Sequence, residues 1–157
     1  MRKSQITQIS QATPIRDQAW MDVDHIASVE VSSEDADYPI ESALLLEGKI
    51  GWRAANPGEQ TIRLIFDERQ KLRRIILVFE DPENTRTQEF VLRWSPKIES
   101  SFREIVRQQW NFSPSGSVLE TEDYAVELSE VKVLELMIIP DKRGGEVRAS
   151  LTCLRLA

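Results

Sequence analysis

The chain is short of the residues from which compact catalytic and metal sites are usually built. It has one histidine, His25, and one cysteine, Cys153. A lone cysteine excludes an internal disulfide. Secreted β-rich domains of this size often carry one, so the count predicts a reducing, cytoplasmic setting. A lone histidine leaves no nucleophile–base pair to nominate and too few ligands for a transition-metal site. Asp17, Asp22 and Asp24 stand near His25, but this set reads as a charged linker before the first strand. Cys153 lies in the strand-like run Ser150–Leu156 and reads as a small buried apolar residue rather than a nucleophile.

Long apolar runs are also missing. Ala43–Leu46 and Ile75–Phe79 fall far short of the roughly 18 residues that a membrane span needs. Residues 1–14 carry two basic side chains with no apolar stretch behind them, which predicts no secretory signal. Positive charge is in the minority, 20 basic against 26 acidic side chains, for a net charge of −6. Such a field repels phosphate backbones and anionic lipids at long range, so neither nucleic acid nor a membrane is expected as a partner. Arg73, Arg74, Arg93, Arg103 and Arg107 are the residues from which a local basic patch would have to form.

What the chain does have is alternation. Its 157 residues, 41% of them apolar, suit one domain with one core. Ile62, Leu64 and Phe66 point one way and Thr61, Arg63 and Ile65 the other, which is the two-residue period of a strand. Asp67–Gln70 reads as a turn. Leu72–Phe79 follows as a denser strand, covered on both sides for part of its length. Asp81–Asn84 turns the chain again, and Phe90, Leu92 and Trp94 alternate against Glu89, Val91 and Arg93. Asn56-Pro57-Gly58 and the stretch 140–145 are further turn signals. Strands are expected over 26–32, 120–128, 131–139 and 147–156, with a short helical turn at 40–46 ended by Glu47-Gly48. Ile6 and Ile9 are spaced for a weak helical turn. Phe102, Val106 and Trp110, four apart, fit a helix face but also share one strand face; with sheets on both sides, a strand is expected over 101–112. About eight short antiparallel strands predict an all-β fold, a two-sheet sandwich over 26–157, preceded by an N-terminal extension over 1–25.

The order of these signals resembles a known family. Ile26–Ser33, Tyr38-Pro39 with Ala43-Leu44, Gly48, Trp52, the Gln60–Phe66 alternation and Leu72 with Ile75 are similar to the opening half of the discoidin, or coagulation-factor C-type, domain. Phe90–Ser95 and Val133–Ile138 resemble two of its later strands. The resemblance spans residues 26–156 and implies a galactose-binding-like jelly roll with its binding loops at one end. Two departures stand out. Glu47-Gly48 occupies the place of the family's Asp-Gly pair, and a single cysteine cannot join the ends of the domain.

The candidate sites follow from the loops. Trp52, Arg53, Asn56 and Gln60 supply a flat apolar face and planar hydrogen-bonding groups, the types that a sugar ring needs. In the resemblance Trp52 looks more like a plug at the sandwich edge. Trp110 and Asn111, ahead of Ser113-Pro114, form a second candidate ligand-binding surface or else the core end of a strand. Glu34, Asp35 and Asp37 offer hard oxygen ligands for a possible Ca2+ ion, and acidic turn residues are as readily just solvated. Arg103 and Arg107 are placed to pair with Glu89 or Glu104 across a sheet. Glu120 and Glu122 share a strand face, as hydrolysis of a glycosidic bond would require, though alternation explains them more simply. The expected function is therefore a non-catalytic binding module for a carbohydrate. The alternative is an intracellular protein–protein interaction or assembly domain, and a hydrolase is the remote third. An exposed Trp52 favours the sugar; a buried Trp52 with an apolar patch elsewhere favours the protein partner. The oligomeric state is not legible.

Overall fold

A computed structural model describes residues 19–46, 50–98 and 101–157. The Glu47-Gly48 pair and the helical turn expected around Ile6 and Ile9 lie outside the described residues. The fold is an all-β jelly roll, a two-sheet antiparallel sandwich of eight strands. A single helical turn, α1 (Val23–Ile26), leads into β1 (Ala27–Val31). Another, α2 (Glu41–Leu44), precedes β2 (Trp52–Pro57). Then follow β3 (Gln60–Glu80), β4 (Arg86–Ser95), β5 (Arg103–Phe112) and β6 (Leu119–Ile139). The chain closes with β7 (Arg148–Leu151) and β8 (Cys153–Leu156).

Two expectations for the middle of the chain need correction. Asp67–Gln70 does not turn the chain, and 120–128 and 131–139 are not separate strands. β3 and β6 are each 21 residues long and pair along their whole length, with register shifts between Ile65 and Arg74. Those shifts are bulges, and bulges bend a strand and sharpen its twist. On one side of the bend, Gln60–Phe66 pairs with β1 and with Val133–Ile138, which in turn pairs with β4, and β4 with β5. Beyond it, Ile75–Glu80 pairs with β8 and with the start of β6. Phe79 stacks on Phe90 with ring centroids 5.3 Å apart. Phe90 sits opposite Ile138, which sits opposite Gln60. The far end of β3 therefore lies across the core from its own beginning. The ladder folds back on itself, and each half belongs to a different leaf.

The core fills the space between the leaves. Ile62, Leu64, Phe66, Phe90, Leu92, Leu136 and Ile138 come from one side; Ile75, Leu77, Phe79, Leu154 and Leu156 come from the other. Trp52 and Ala54 of β2 and Ala149 and Leu151 of β7 seal an edge. Ile76 is buried on the outer face of its leaf, as the dense run 72–79 predicts. Beside it Arg155, also buried, donates to the carbonyls of Ala43, Leu44 and Leu45 and so caps α2. The segment 101–112 is a strand: Ile105, Val106 and Trp110 pack against the core from β5. The expected closing strand is broken at Thr152 into β7 and β8.

The outer face of the larger leaf carries a transverse row of alternating charge. Glu30 pairs with Arg63 at 3.0 Å, Arg63 with Glu135 at 2.7 Å, and Arg93 closes on the other oxygen of Glu135. Glu135 is buried. Burial alone would push its carboxyl up, but hydrogen bonds from Arg63 and Arg93 outweigh that and hold it below the usual range.

Gly51, with φ 77°, starts β2 where it meets the end of β7. A Cβ there would stand 2.6 Å from the Leu151 carbonyl oxygen and 2.9 Å from the Thr152 Cα, both backbone atoms. Gly51→Ala adds this clash to an unfavourable backbone region and is expected to cost about 2–4 kcal/mol, read as a lower denaturation midpoint with an unchanged slope.

Candidate functional site

The folded-back ladder brings the connections that follow β3, β5 and β6 to one end of the sandwich. Asp81 N donates to Val118 O at 2.8 Å, and Lys142 N to Thr87 O at 2.8 Å. The Arg143 side chain reaches Thr85 O at 3.2 Å. At the centre lies Arg86, only 2% exposed. Its Nε donates to Asp81 Oδ2 at 2.6 Å, and one terminal nitrogen donates to Pro140 O at 2.8 Å and Gln88 Oε1 at 3.1 Å. The guanidinium lies 4.4 Å from the centroid of the Phe112 ring. One side chain thus ties together the β3–β4, β6–β7 and β5–β6 connections. Asp81 also accepts from the backbone amides of Glu83 and Asn84 at 2.9 and 3.0 Å, which shapes the 81–84 turn. Burial pushes the Asp81 carboxyl up, but Arg86 and these amides pull it further down, so it is ionised.

Against this end opens a cleft of about 510 Å³. Arg53 and Arg148 supply cations, Glu80, Glu83 and Glu146 anions, and Asn84 and Ser150 neutral hydrogen-bonding groups. Both arginines are steadied. The Arg53 guanidinium lies over the Tyr38 ring at 4.2 Å, and Arg148 stands 3.6 Å from Asp35. A second, shallower recess of about 310 Å³ is lined by Gln109, Trp110, Asn111 and Ser117, with Val118 and Leu119 exposed beside it.

The structure separates the candidates taken from sequence. Arg53 lines the cleft. Trp52 does not: it is 1% exposed, and its indole N–H donates to Ser33 O at 3.1 Å. Its parity with Ala54 points it inward, so it plugs the sandwich edge and offers no face to a ligand. Gln60 is likewise buried, accepting from Ser32 and Ser33 at 2.6 and 2.7 Å and donating to Asn56 O. It fastens loop 32–33 to the start of β3. The Asn56 side chain is exposed near the end of β2 and does not line the cleft. Trp110 and Asn111 come together at the recess, away from Arg53.

The calcium set fails on geometry. Glu34 accepts from Ile40 N at 2.9 Å, and Asp35 from Asp37 N at 2.9 Å. Among the described residues no three His, Cys, Asp or Glu side chains gather into a group fit for a metal ion. Neighbours in sequence here hold their own loop instead. The expected pairing of Arg107 is present, to Glu89 at 2.8 Å and Glu104 at 3.1 Å.

Glu120 and Glu122 both face the core edge. Glu120 is fully buried and accepts from Gln88 at 3.1 Å, so no substrate reaches it as a hydrolytic acid would require. Burial, then the adjoining Glu122, push the Glu120 carboxyl up to about 9. It is therefore neutral at pH 7.

No known family profile matches the chain, and no curated protein matches it. Solved structures do. Among them is the CBM32-3 module of a family 31 glycoside hydrolase from Clostridium perfringens: TM-score 0.63, 15% identity, 87% of this chain and 93% of that one. The C-terminal domain of a chitobiase from Bacteroides fragilis matches with TM-score 0.62 and 16% identity over 88% of this chain and 96% of that one. A pectin-binding carbohydrate-binding module matches with TM-score 0.59 and 17% identity over 84% and 90%. The chain shares its all-β jelly-roll fold with these domains.

Sequence reasoning missed Arg86, Asn84 and Arg148. Arg86 and Gln88 share the parity of Phe90 and Leu92, and that was the available signal for two buried polar residues.

Two outcomes follow. Arg86→Met strands the buried Asp81 carboxylate and is expected to cost about 3–5 kcal/mol in equilibrium unfolding, whereas Arg107→Met removes an exposed guanidinium and leaves Glu89 its bonds from Lys142 and Gln109, at a cost under about 1 kcal/mol. The second concerns pH. Because the Glu120 carboxyl is raised in the folded state, its contribution is fully present below the ordinary carboxylate range. It is lost as pH rises towards about 9. Glu120→Gln removes that loss. Its stability relative to the natural chain is expected to grow with pH, by about 1–3 kcal/mol between acidic and mildly alkaline conditions, checked by denaturant titration at both ends.

Proposed function

We propose that this chain is a non-catalytic, discoidin-like binding module that takes a carbohydrate in the cleft at the loop end of the sandwich. The supporting observation is the pair of arginines, Arg53 and Arg148. They converge on one cleft from adjacent strands, each steadied by a neighbour, with Asn84, Ser150 and Glu146 around them. Planar donors and acceptors held in place are what a ring of hydroxyls requires, because little side-chain freedom remains to be lost on binding. The fold, shared with carbohydrate-binding modules, supports the same reading by analogy. Recognition in this cleft is polar: Val147 and Pro82 are its apolar lining, and Trp52 takes no part.

A second reading, a protein-interaction domain, is favoured by the buried Trp52 together with Val118 and Leu119 exposed beside the half-buried Trp110. The two readings use different surfaces.

A glycan array with the purified chain, run with calcium and with chelator, separates them. Binding to a defined glycan is expected, insensitive to chelator, and at least about tenfold weaker in Arg53→Ala/Arg148→Ala, since each lost charged hydrogen bond is worth about 1.5–3 kcal/mol. Blank arrays in both buffers would overturn the carbohydrate reading and leave the Trp110 surface for a pull-down with Leu119→Asp as control.

A further inference from the structure

A line of buried polar side chains runs from the gap between the leaves to the cleft. It begins at Glu120, wholly buried on β6, which accepts from Gln88 Nε2 at 3.1 Å. Gln88 is itself fully buried, and its Oε1 accepts from Arg86 at 3.1 Å. Arg86 Nε donates to Asp81 at 2.6 Å. Asp81 then fixes the amides of Glu83 and Asn84, two residues that line the cleft. Three hydrogen bonds therefore join an inter-leaf carboxyl to Asp81 at the cleft wall, and the second oxygen of Glu120, Oε2, is buried with no hydrogen-bond partner.

We propose that this relay couples the proton held by the Glu120–Glu122 pair to the geometry of the 81–84 turn, and so to the cleft. That the cleft is where a ligand binds rests on the function proposed above; the coupling itself does not. The groups around Glu120 define what must happen on ionisation. β6 supplies Glu122 and Tyr124, β4 supplies Arg86 and Gln88, β3 sets Phe79 opposite, and β5 presents Trp110 opposite Gln88. With its proton in place, Glu120 is neutral beside the Glu122 carboxylate. Loss of that proton to solvent puts two like charges side by side in a buried setting, where charge is poorly screened. The cation near enough to answer is Arg86, which already lowers the tendency of Glu120 to hold its proton. Arg86 also serves Asp81. A shift of the guanidinium towards Glu120 lengthens its bond to Asp81, and the turn built on the Asp81 carboxylate follows. Tyr124 does not compete in this range, since burial and then Glu122 push its hydroxyl above the usual tyrosine value.

The test needs no ligand, so its failure is distinct from a blank glycan array. The full chain, labelled with nitrogen-15 and carbon-13, is titrated by NMR across neutral to alkaline pH. The side-chain carboxyl carbon of Glu120 is expected to titrate with a midpoint near 9, and the backbone amides of Glu83 and Asn84 to shift with the same midpoint. In Glu120→Gln that amide shift is lost. In Gln88→Met, which cuts the line but leaves the carboxyl, Glu120 still titrates while the amides of residues 83 and 84 lose at least about half of their response. Three results would overturn the proposal: a Glu120 midpoint in the ordinary carboxylate range, an amide titration that survives Glu120→Gln, or amides that follow Glu120 undiminished in Gln88→Met.

Discussion

The loop end of this molecule hangs on the burial of one guanidinium. Arg86 has left water almost completely, a change that costs several kcal/mol unless every N–H is satisfied and the charge is balanced. Asp81 balances it; Pro140 O and Gln88 take the remaining contacts; Phe112 packs beneath it. These four partners come from four different segments. The same requirement that makes the group expensive to bury forces the segments into register, because no partner can drift without leaving a buried charge exposed to nothing. A hydrophobic side chain at this position would pack, but it would not tell the 81–84 turn where to sit.

This tether works because of the larger geometry. The long β3–β6 ladder bends in its middle and returns, so that the residues after Glu80, before Leu119 and after Ile139 arrive together. A sandwich built from separate short hairpins would scatter these connections over both ends. The transverse row Glu30–Arg63–Glu135–Arg93 holds four strands of the larger leaf in lateral alignment from outside, while the apolar residues align them from within. Glu135 shows the principle shared with Asp81: a buried carboxylate stays ionised when cations and donors outweigh the loss of water.

Alternation made the leaves legible. Gln60–Phe66 and Phe90–Ser95 announce strands because every second side chain must enter a core, and Asn56-Pro57-Gly58 and residues 140–145 announce turns because the backbone demands it. The bend was not legible. Asp67, Glu68, Arg69 and Gln70 are polar in a turn and equally polar on an exposed bulge, so composition cannot separate the two. Trp52 carried two readings for a related reason: residue type suggested recognition and the resemblance an edge plug, and its place in β2, two before buried Ala54, decides for the plug. The acidic run Glu34–Asp37 had the ligands for calcium but not their convergence: among the described residues they form no group fit for a metal, and one oxygen each of Glu34 and Asp35 is turned to a backbone amide of their own loop. Arg148 and Glu146 follow a turn far along the chain from Arg53, and only the β2–β7 pairing places them together.

The cleft and the Trp110 recess differ in the kind of surface they present. In the cleft, Arg53 rests on Tyr38 and Arg148 beside Asp35, so their donors point in fixed directions, and the proposed carbohydrate reading rests on matching those directions. In the recess, Val118 and Leu119 offer area without direction, and any sufficiently apolar partner gains from covering them. Arg86 reaches both: Asp81 carries it to the cleft, and Phe112, at the end of the strand that bears Trp110, carries it to the recess. A disturbance of its charge balance is therefore felt at the directional surface first. A hydrogen bond weakens steeply with misalignment, whereas apolar burial tolerates small shifts. Under the coupling proposed above, that difference makes the cleft the surface that responds to the state of the Arg86 network.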